Sequence, residues 1–256
     1  YYSGLEPIDD EVLSKCPNLK IISKYGVGLN NIDLEACKKR GISIGWSGGV
    51  NKLSVAEMAL GFMLMFARNL YMTSNELKSG TWNKSGGFQL SGKTIGIIGV
   101  GYTGQEVVRL LQPFNCKILV NDIVNQDKYY KENDLIETSK EDIYKKSDIL
   151  TIHTPHNSET DNLIGMEALE AMKNSAYVLN TARGGIINEK DLKYALQNNI
   201  IAGAAIDTYA EEPPIDKEFL SLPNLICTPH IGGNAKEAVE AMGKSAINHL
   251  KKFYKL

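Results

Sequence analysis

The sequence has little cysteine, no excess of charge of either sign and no long hydrophobic run. Its four cysteines form no CxxC pair and no zinc-ligand spacing, which excludes a disulfide scaffold and a cysteine zinc site. The 28 Lys+Arg against 30 Asp+Glu give a formal net charge of −2, whereas nucleic-acid binders usually carry a clustered basic excess. The longest apolar run, residues 58–67, is far shorter than the roughly 20 residues of a membrane helix. We therefore expect a reduced, cytoplasmic protein that binds neither nucleic acid nor a membrane.

The remaining composition is that of an ordinary globular protein. Hydrophobic residues make up 43% of the 256 positions and charged residues 23%, enough for one large domain or two smaller ones. The first residues, YYSGLE, include no initiating methionine and no signal-peptide pattern. We expect the chain to be the interior of a longer one.

Short β-branched segments alternate with amphipathic helical segments along most of the chain. Strands are predicted at 19–23, 42–45, 94–98, 117–121, 149–153, 176–180, 202–206 and 225–227. Helices are predicted at 34–40, 54–70, 104–114, 141–146, 166–172, 189–198 and 235–253. This alternation predicts an α/β fold with parallel sheets and crossover helices on both faces.

A Gly-x-Gly-x-x-Gly motif, GVGYTG at 99–104, follows a predicted strand and opens a predicted helix. In that context Gly99 permits the tight turn, Gly101 lets the backbone approach a pyrophosphate, and Gly104 lets helix and strand pack closely. The helix N-terminus, with Tyr102 and Thr103, then faces the negative charge. The motif predicts a dinucleotide site.

Asp122 ends the next predicted strand, 122 − 104 = 18 residues after the last glycine. A carboxylate there accepts hydrogen bonds from an adenosine ribose and repels a 2′-phosphate, and no basic residue follows before Lys128. We therefore expect NAD rather than NADP. A methyltransferase would also use a glycine-rich turn and an acidic strand end, but it has no use for the clusters described next.

Three polar clusters follow later strand ends: NTARGG at 180–185, DTYAEEP at 207–213 and TPHIGG at 228–233. With the glycine motif they resemble the D-2-hydroxyacid dehydrogenase family, whose signatures read approximately NxARG, DV(F/Y)xxEP and TPHxGG, in the same order and at the same spacing. KYGVGLNNID at 24–33 resembles the family's substrate-binding glycine loop. WNK at 82–84, with GKT at 92–94 after it, is most similar to phosphoglycerate dehydrogenase-like members.

The resemblance implies a catalytic set of Arg183, Glu212 and His230. A guanidinium pairs with a planar carboxylate in two hydrogen bonds, and histidine can give or remove a proton near neutral pH. A carboxylate beside the histidine orients its ring. Glu211 is the alternative partner, but the family places its acid immediately before the proline, which favours Glu212. No metal is needed for this chemistry.

The resemblance also implies the lining of the two binding sites. The further cofactor-binding residues expected are His153, Thr154, Pro155, Thr181, Ala182, Asp207, Gly232 and Val55. The substrate-binding residues expected are Tyr25, Gly26, Val27 and Gly28, together with Arg183 and His230. His153 and His156 are expected near the cofactor without a catalytic role, and His249 is interpreted as a surface residue.

Two Rossmann-like or flavodoxin-like domains with parallel sheets are expected. Residues 1–50 and 235–256 would form the substrate domain, and residues 51–234 the NAD-binding Rossmann domain. The first 50 residues hold too few strands for a stable sheet, so the N-terminal strands of the substrate domain are expected to be missing here. The helix predicted at 54–70 is apolar on every side, which indicates a domain or subunit interface and a homodimer.

The substrate stays open at this point. Lys24 and Lys84 are candidate ligands for a phosphate, although surface lysine is the ordinary interpretation. Tyr25 stands where the family often has a small residue, and its ring either narrows the carboxylate pocket or points away. The order of expectation is 3-phosphoglycerate and its 2-oxo counterpart, then hydroxypyruvate or glyoxylate. An NAD-sensing corepressor is the alternative class, because such proteins can keep the same three residues.

Overall fold

The structure, a computed structural model, describes residues 2–3 and 7–256. Within these residues the strands are β1 Tyr2–Ser3, β2 Ile21–Lys24, β3 Ser43–Gly45, β4 Thr94–Ile98, β5 Lys117–Asn121, β6 Ile136–Glu137, β7 Ile149–Ile152, β8 Tyr177–Asn180, β9 Gly203–Ile206 and β10 Leu225–Cys227. The helices are α1 Asp10–Ser14, α2 Leu34–Lys39, α3 Lys52–Ala67, α4 Leu70–Lys78, α5 Tyr102–Leu111, α6 Asp127–Glu132, α7 Lys140–Lys146, α8 Met166–Ala171, α9 Glu189–Gln197, α10 Lys217–Leu220 and α11 Lys236–Tyr254. A short 3₁₀ turn, Gln112–Phe114, follows α5.

The chain divides into two compact units. The first comprises Tyr1–Ser54 and Gly233–Leu256, and the second comprises Val55–Gly232. The boundaries predicted from sequence, after residue 50 and before residue 235, lie within four residues of these. Tyr1 and residues 4–6 lie outside the described residues. They make up most of the segment YYSGLE, on which the expectation about the start of the chain rests.

The first unit contains a parallel sheet in the order β1-β2-β3. Its small core includes Ile8, Leu13, Ile22 and Ile42. Helix α11 returns from the far end of the sequence and packs against this sheet, where the hydroxyl of Ser23 donates to the carbonyl of Ala246 at 2.6 Å. The unit is therefore assembled from both ends of the chain.

The second unit contains a parallel sheet of seven strands in the order β10-β9-β8-β7-β4-β5-β6. The chain begins it at β4, builds outward through β5 and β6, and then crosses back to β7 on the other side of β4. Strand β4 is apolar because helices cover both of its faces, with Ile95 and Ile97 fully buried. The carboxyl edge between β4 and β7 is the topological switch point where ligands bind in such sheets.

The helix predicted at 54–70 is two helices. Helix α3 ends at Ala67, the chain turns at Asn69 with φ 51°, and α4 continues at an angle of 62°. The turn is fixed from outside, since the amide of Phe88 donates to the carbonyl of Ala67 at 2.6 Å and the Asn69 side chain donates to the carbonyl of Ser85 at 3.1 Å. Sequence periodicity continues through the break because apolar residues occupy both sides of it.

Helix α3 is apolar on every side because some of its residues are fully buried in a core and others are half-buried against the same core. Ala56, Ala59, Phe62, Met63 and Phe66 are buried in the core of the second unit, whereas Met58, Leu60, Leu64 and Met65 are half-buried. Within the described residues no single helix is long and apolar enough to cross a membrane. The bent pair of α3 and α4 passes that test only together, and the largely buried α3 is a core helix.

The short elements β1, α1, β6, α6 and α10 have no counterpart in the sequence prediction. Each has two to six residues, too few to show a clear period of 2 or 3.6. The other predicted strands and helices agree with the structure to within about three residues at their ends, the usual uncertainty of such boundaries.

Candidate active site

The glycine motif forms the turn from β4 into α5. Gly99 has φ 92°, and a Cβ atom there would lie 2.7 Å from the backbone carbonyl of His153 at the end of β7. A Cβ on Gly104 would overlap the carbonyl oxygen of Gly99, so only glycine lets α5 pack this closely. A Cβ on Gly101 would meet open space, because this glycine lines the outer side of the turn. The structure thus requires glycine at positions 99 and 104, and the approach of a pyrophosphate to Gly101 stays a prediction.

Asp122 lies at the end of β5, beside this turn. Its Oδ2 accepts a hydrogen bond from the amide of Val100 at 2.5 Å, and its Oδ1 accepts from the amide of Val124 at 2.9 Å. Gln126, which sequence reasoning missed, donates to the carbonyl of Val100 at 3.1 Å. Tyr102 and Thr103 occupy the first turn of α5, with Tyr102 exposed. The carboxylate is therefore held against the turn by two amides, and its contact with a ribose stays a prediction.

Several buried polar atoms at the carboxyl edge have no partner among the described residues. They are Oγ1 of Thr154, Thr181 and Thr208, and Nδ1 of His153, which follow β7, β8 and β9. Buried polar groups without partners are costly, so this edge has the character of a surface that a polar ligand completes. Thr208 was not predicted, because nothing in the sequence distinguishes it from its neighbours. The edge fits a dinucleotide.

His153 accepts or donates one hydrogen bond with Thr151, whose Oγ1 lies 2.9 Å from Nε2. Burial lowers the pKa of His153 to about 4, so the ring is neutral at neutral pH. Pro155 and His156 follow it, and His156 Nε2 lies 2.8 Å from Oδ1 of Asp161. Gly185 packs against the His156 ring, which connects the loop after β7 to the loop after β8.

His230 and Glu212 form a hydrogen-bonded pair in the second unit. Nδ1 of His230 lies 2.8 Å from Oε2 of Glu212, and the amide of Tyr209 donates to Oε1 of the same carboxylate at 3.0 Å. Glu211 is exposed, and it is Glu212 that contacts the imidazole. The side chains of His230 and Glu212 remain 41% and 37% exposed, so the pair is accessible from solvent.

Asp207 holds the turn that carries His230. Its buried carboxylate accepts from the hydroxyl of Thr228 at 2.6 Å and from the amides of Ile231 at 2.9 Å and Gly232 at 2.7 Å. His230 itself has φ 52°, a left-handed conformation that a non-glycine residue adopts rarely. Asp207 and Gly232, both expected at the cofactor, are thus also components of the histidine turn.

Arg183 lies in the loop after β8. The side chain of Asn180 donates to the carbonyl of Arg183 at 2.7 Å and accepts from the amide of Ala182 at 3.0 Å, which closes the loop. Nη1 of Arg183 donates to the carbonyl of Ala182 at 2.6 Å. Burial lowers the pKa of Arg183 and the negative charge of Glu212 opposes the shift, so the guanidinium stays charged.

Gly184 brings two of these loops into contact. A Cβ at this position would overlap the backbone carbonyl of Tyr209, so the loop carrying Arg183 lies directly on the loop carrying Glu212. Thr181 is buried at the start of the same loop and Ala182 is half-buried. Val55, the first residue of the second unit, is buried in α3.

The predicted substrate loop follows β2 in the first unit. Gly26 has φ 102°, and the indole of Trp46 donates to the carbonyl of Val27 at 2.8 Å. Tyr25 and Gly28 are half-buried, and the Tyr25 ring reaches to 4.0 Å from where a Cβ on Gly243 of α11 would stand. The tyrosine ring therefore points toward α11 within its own unit.

Two interpretations of surface residues were wrong. Lys24 is only 5% exposed and its Nζ donates to Oδ1 of Asn31 at 2.7 Å, so it closes the base of the glycine loop. His249 is half-buried, with Nε2 2.9 Å from the hydroxyl of Ser47. Lysine and histidine in a sequence predict solvent exposure on average, and burial against a distant element overrides that average. Lys84, by contrast, is exposed.

The model of the D-isomer specific 2-hydroxyacid dehydrogenase, NAD binding domain, matches residues 60–232. That is more than half of the chain and nearly the whole second unit. The chain belongs to the D-isomer specific 2-hydroxyacid dehydrogenase family. The second unit corresponds to the NAD-binding domain of that family, and NAD is the cofactor.

Relatives of the chain have different names. D-3-phosphoglycerate dehydrogenase of Methanocaldococcus jannaschii is 38% identical over 251 residues, 94% of this chain and 47% of the relative. Glyoxylate reductase of Thermococcus litoralis is 34% identical over 98% of this chain and 78% of the relative. The crystal structure of NAD-dependent formate dehydrogenase from Staphylococcus aureus in complex with NAD has a TM-score of 0.86 at 34% identity, over 97% of this chain and 76% of that one. The chain thus spans about half of one curated relative and over three quarters of the other.

Proposed function

We propose that this chain transfers a hydride between NAD(H) and a D-2-hydroxy acid or its 2-oxo counterpart. The 2.8 Å contact between His230 and Glu212 carries the proposal, because it provides an oriented acid/base group beside the NAD-binding edge. The family to which the chain belongs supports the same chemistry.

In this reaction the residues of the chain would have the following roles. Bound NAD(H) supplies or accepts the hydride. Arg183 binds the substrate carboxylate through its two parallel N–H groups, and its partial burial strengthens that pairing. His230 donates a proton from Nε2 to the carbonyl oxygen during reduction and removes it from the hydroxyl during oxidation. Glu212 holds Nδ1 of the ring, which keeps Nε2 directed away from the pair.

The first substrate we propose is 3-phosphoglycerate with its 2-oxo counterpart, supported by the 38% identical relative. One observation favours a second candidate, a smaller acid such as hydroxypyruvate or glyoxylate. Lys24, one of two lysines considered for the phosphate, is hydrogen-bonded to Asn31 in the interior of the first unit. The glyoxylate and hydroxypyruvate reductases among the relatives support the same candidate.

The test is NADH oxidation by the full-length protein with phosphohydroxypyruvate, hydroxypyruvate, glyoxylate and pyruvate, and with NADPH as the comparison. Turnover of any acid with NADH supports the proposal, and the preferred acid decides between the candidates. The matched control is His230→Ala, which should bind NADH without turnover. An NADH-dependent protein partner together with no turnover would overturn the proposal in favour of a corepressor.

We also propose a homodimer that assembles through α4 and the segment after it. This part of the second unit exposes the large apolar side chains Leu70, Tyr71, Met72, Leu77 and Trp82. Clustered exposed side chains of this kind mark protein interfaces.

The four cysteines are all free, which supports a reducing compartment such as the cytoplasm.

A further inference from the structure

Helix α9 begins immediately after the loop that carries Arg183. Its N-cap is Asn188, whose side chain accepts from the amides of Lys190 and Asp191, both at 3.1 Å. The helix is thus capped without Glu189. Instead, Oε1 of Glu189 accepts a hydrogen bond at 2.6 Å from the amide of Ala210, 21 residues further along the chain.

Ala210 lies in the loop that carries Glu212. Two successive amides of this loop donate to two different carboxylates: Tyr209 to Glu212 at 3.0 Å and Ala210 to Glu189 at 2.6 Å. The first bond lies within the loop, so it moves when the loop moves. The second ties the loop to a helix, which is a rigid element of the second unit.

The charge of Glu189 also reaches the strand that leads to His230. Burial raises the pKa of the Cys227 thiol, and the negative charge of Glu189 adds to that shift. Cys227 ends β10, three residues before His230. Glu189 is therefore bonded to the loop that carries Glu212, and its charge acts on the strand that leads to His230.

We propose that Glu189 is a positioning residue, which acts through the amide of Ala210 to hold Glu212 against Nδ1 of His230. The ordinary alternative is an acid in the first turn of a helix, which favours the helix dipole and affects stability alone. The effect on turnover rests on the proposed function. The effect on the ring of His230 does not.

The experiment compares Glu189→Ala, Glu189→Gln and Glu167→Ala in the full-length protein. Glutamine keeps an oxygen that can accept from Ala210, whereas alanine does not. Glu167 is the matched control, because it is exposed in the first turn of α8 and its loss removes a comparable first-turn charge.

Loss of one positioning hydrogen bond should lower kcat roughly threefold to tenfold in Glu189→Ala, with the Kd for NADH unchanged. Glu189→Gln should retain most of kcat, and Glu167→Ala should change only the melting temperature. Long-range ¹H–¹⁵N spectra report which ring nitrogen of a histidine carries the proton, and the signals of His230 are those that disappear in His230→Gln. In the wild-type protein these signals should show a ring protonated at Nδ1. Glu189→Ala should shift it toward a mixture of both tautomers.

Two results would overturn the proposal. One is a Glu189→Ala variant that resembles Glu167→Ala in kcat and in the His230 spectrum. The other is a Glu189→Gln variant as impaired as Glu189→Ala. If the wild-type protein turns over no 2-oxo acid, the proposed function fails, and the tautomer of His230 still decides the positioning role.

Discussion

The Oδ2 atom of Asp207 lies 2.7 Å from the amide nitrogen of Gly232, two residues beyond His230. The Oδ1 atom of the same carboxylate accepts from Thr228, two residues before the histidine. One buried side chain therefore accepts hydrogen bonds from residues on both sides of the histidine. A turn held in this way keeps His230 in its left-handed conformation.

Asp207→Asn should lower both stability and turnover. The amide has one oxygen and presents N–H groups to backbone donors, so at least one buried amide loses its acceptor. We expect the melting temperature to fall by roughly 5 °C or more and kcat to fall by roughly tenfold or more. Thermal unfolding and steady-state kinetics measure the two effects.

The matched control for this substitution is Asp191→Asn. Asp191 also accepts a backbone amide, that of Met166 at 2.9 Å, but this bond joins α9 to the start of α8 and not to the histidine turn. It should lose stability and retain kcat. Equal losses of kcat in both variants would mean that Asp207 has no specific effect on His230.

Gly101→Ala and Gly104→Ala should separate cofactor binding from folding. A methyl group at Gly101 meets open space and φ −78° suits alanine, so the fold should persist while the added Cβ occupies the approach of the pyrophosphate. We expect the Kd for NADH to rise roughly tenfold. Gly104→Ala should instead lower the melting temperature, because its Cβ overlaps the carbonyl of Gly99. Titration calorimetry and thermal unfolding distinguish them, and reversed results would contradict the assigned functions of the two glycines.

His230→Ala should lose much more turnover than NADH affinity. Removal of a well-placed acid/base group costs roughly 10²–10⁴ in rate. The control is His249→Ala, which removes an imidazole bonded to Ser47 in the first unit. Comparable losses of kcat and of NADH affinity in His230→Ala would make the histidine a binding residue.

Stability should fall as the pH falls from about 6.5 to about 4, in part because of His153. Burial lowers the pKa of this histidine to about 4 in the folded protein, against about 6.5 for an unperturbed histidine. Between these values the unfolded chain binds the proton and the folded chain does not, so acid favours unfolding. The contribution is at most about 1.4 kcal/mol for each pH unit in this window. Urea unfolding as a function of pH should show a shallower slope in His153→Gln, and an unchanged slope would show that His153 makes no contribution.

Leu77→Lys should convert the proposed dimer to a monomer. Leu77 is 56% exposed on α4, and a lysine there would place a charge in the apolar interface. The matched control is Ile215→Lys, a substitution of an isoleucine that is 74% exposed in the loop after Glu212. Light scattering should show a dimer for the wild-type protein and the control. A monomeric wild-type protein would contradict the interface.

Local patterns predicted the elements that position the cofactor. The apolar run of β4, the glycine turn and the helix after it are encoded within about 20 contiguous residues, so both their existence and their order follow from sequence. The choice of Glu212 over Glu211 came from the family resemblance, since both are adjacent acids. The contact with His230 is visible only in three dimensions.

Features that depend on distant partners could not be predicted. The break between α3 and α4 is set by hydrogen bonds from residues 85–88, and the burial of Lys24 depends on Asn31 and the strands around it. Neither feature changes the pattern of apolar and polar residues in its own segment, so sequence periodicity does not reveal it. Glu189 likewise appears in sequence as an ordinary first-turn acid, and its bond to Ala210 requires the fold.

The hydroxyl of Ser23 and the carbonyl of Ala246 are bonded across 223 positions of sequence, and a Cβ on Gly45 would lie 2.5 Å from the Cβ of His249. A ribosome delivers the contiguous second unit before it delivers α11. Domains generally fold as units while synthesis proceeds from the N-terminus. The second unit can therefore fold before α11 has been synthesised, while the sheet of the first unit still lacks the helix that covers it. Helix α11 is thus the last element of the first unit to be synthesised, and its arrival completes the cover over the sheet of that unit.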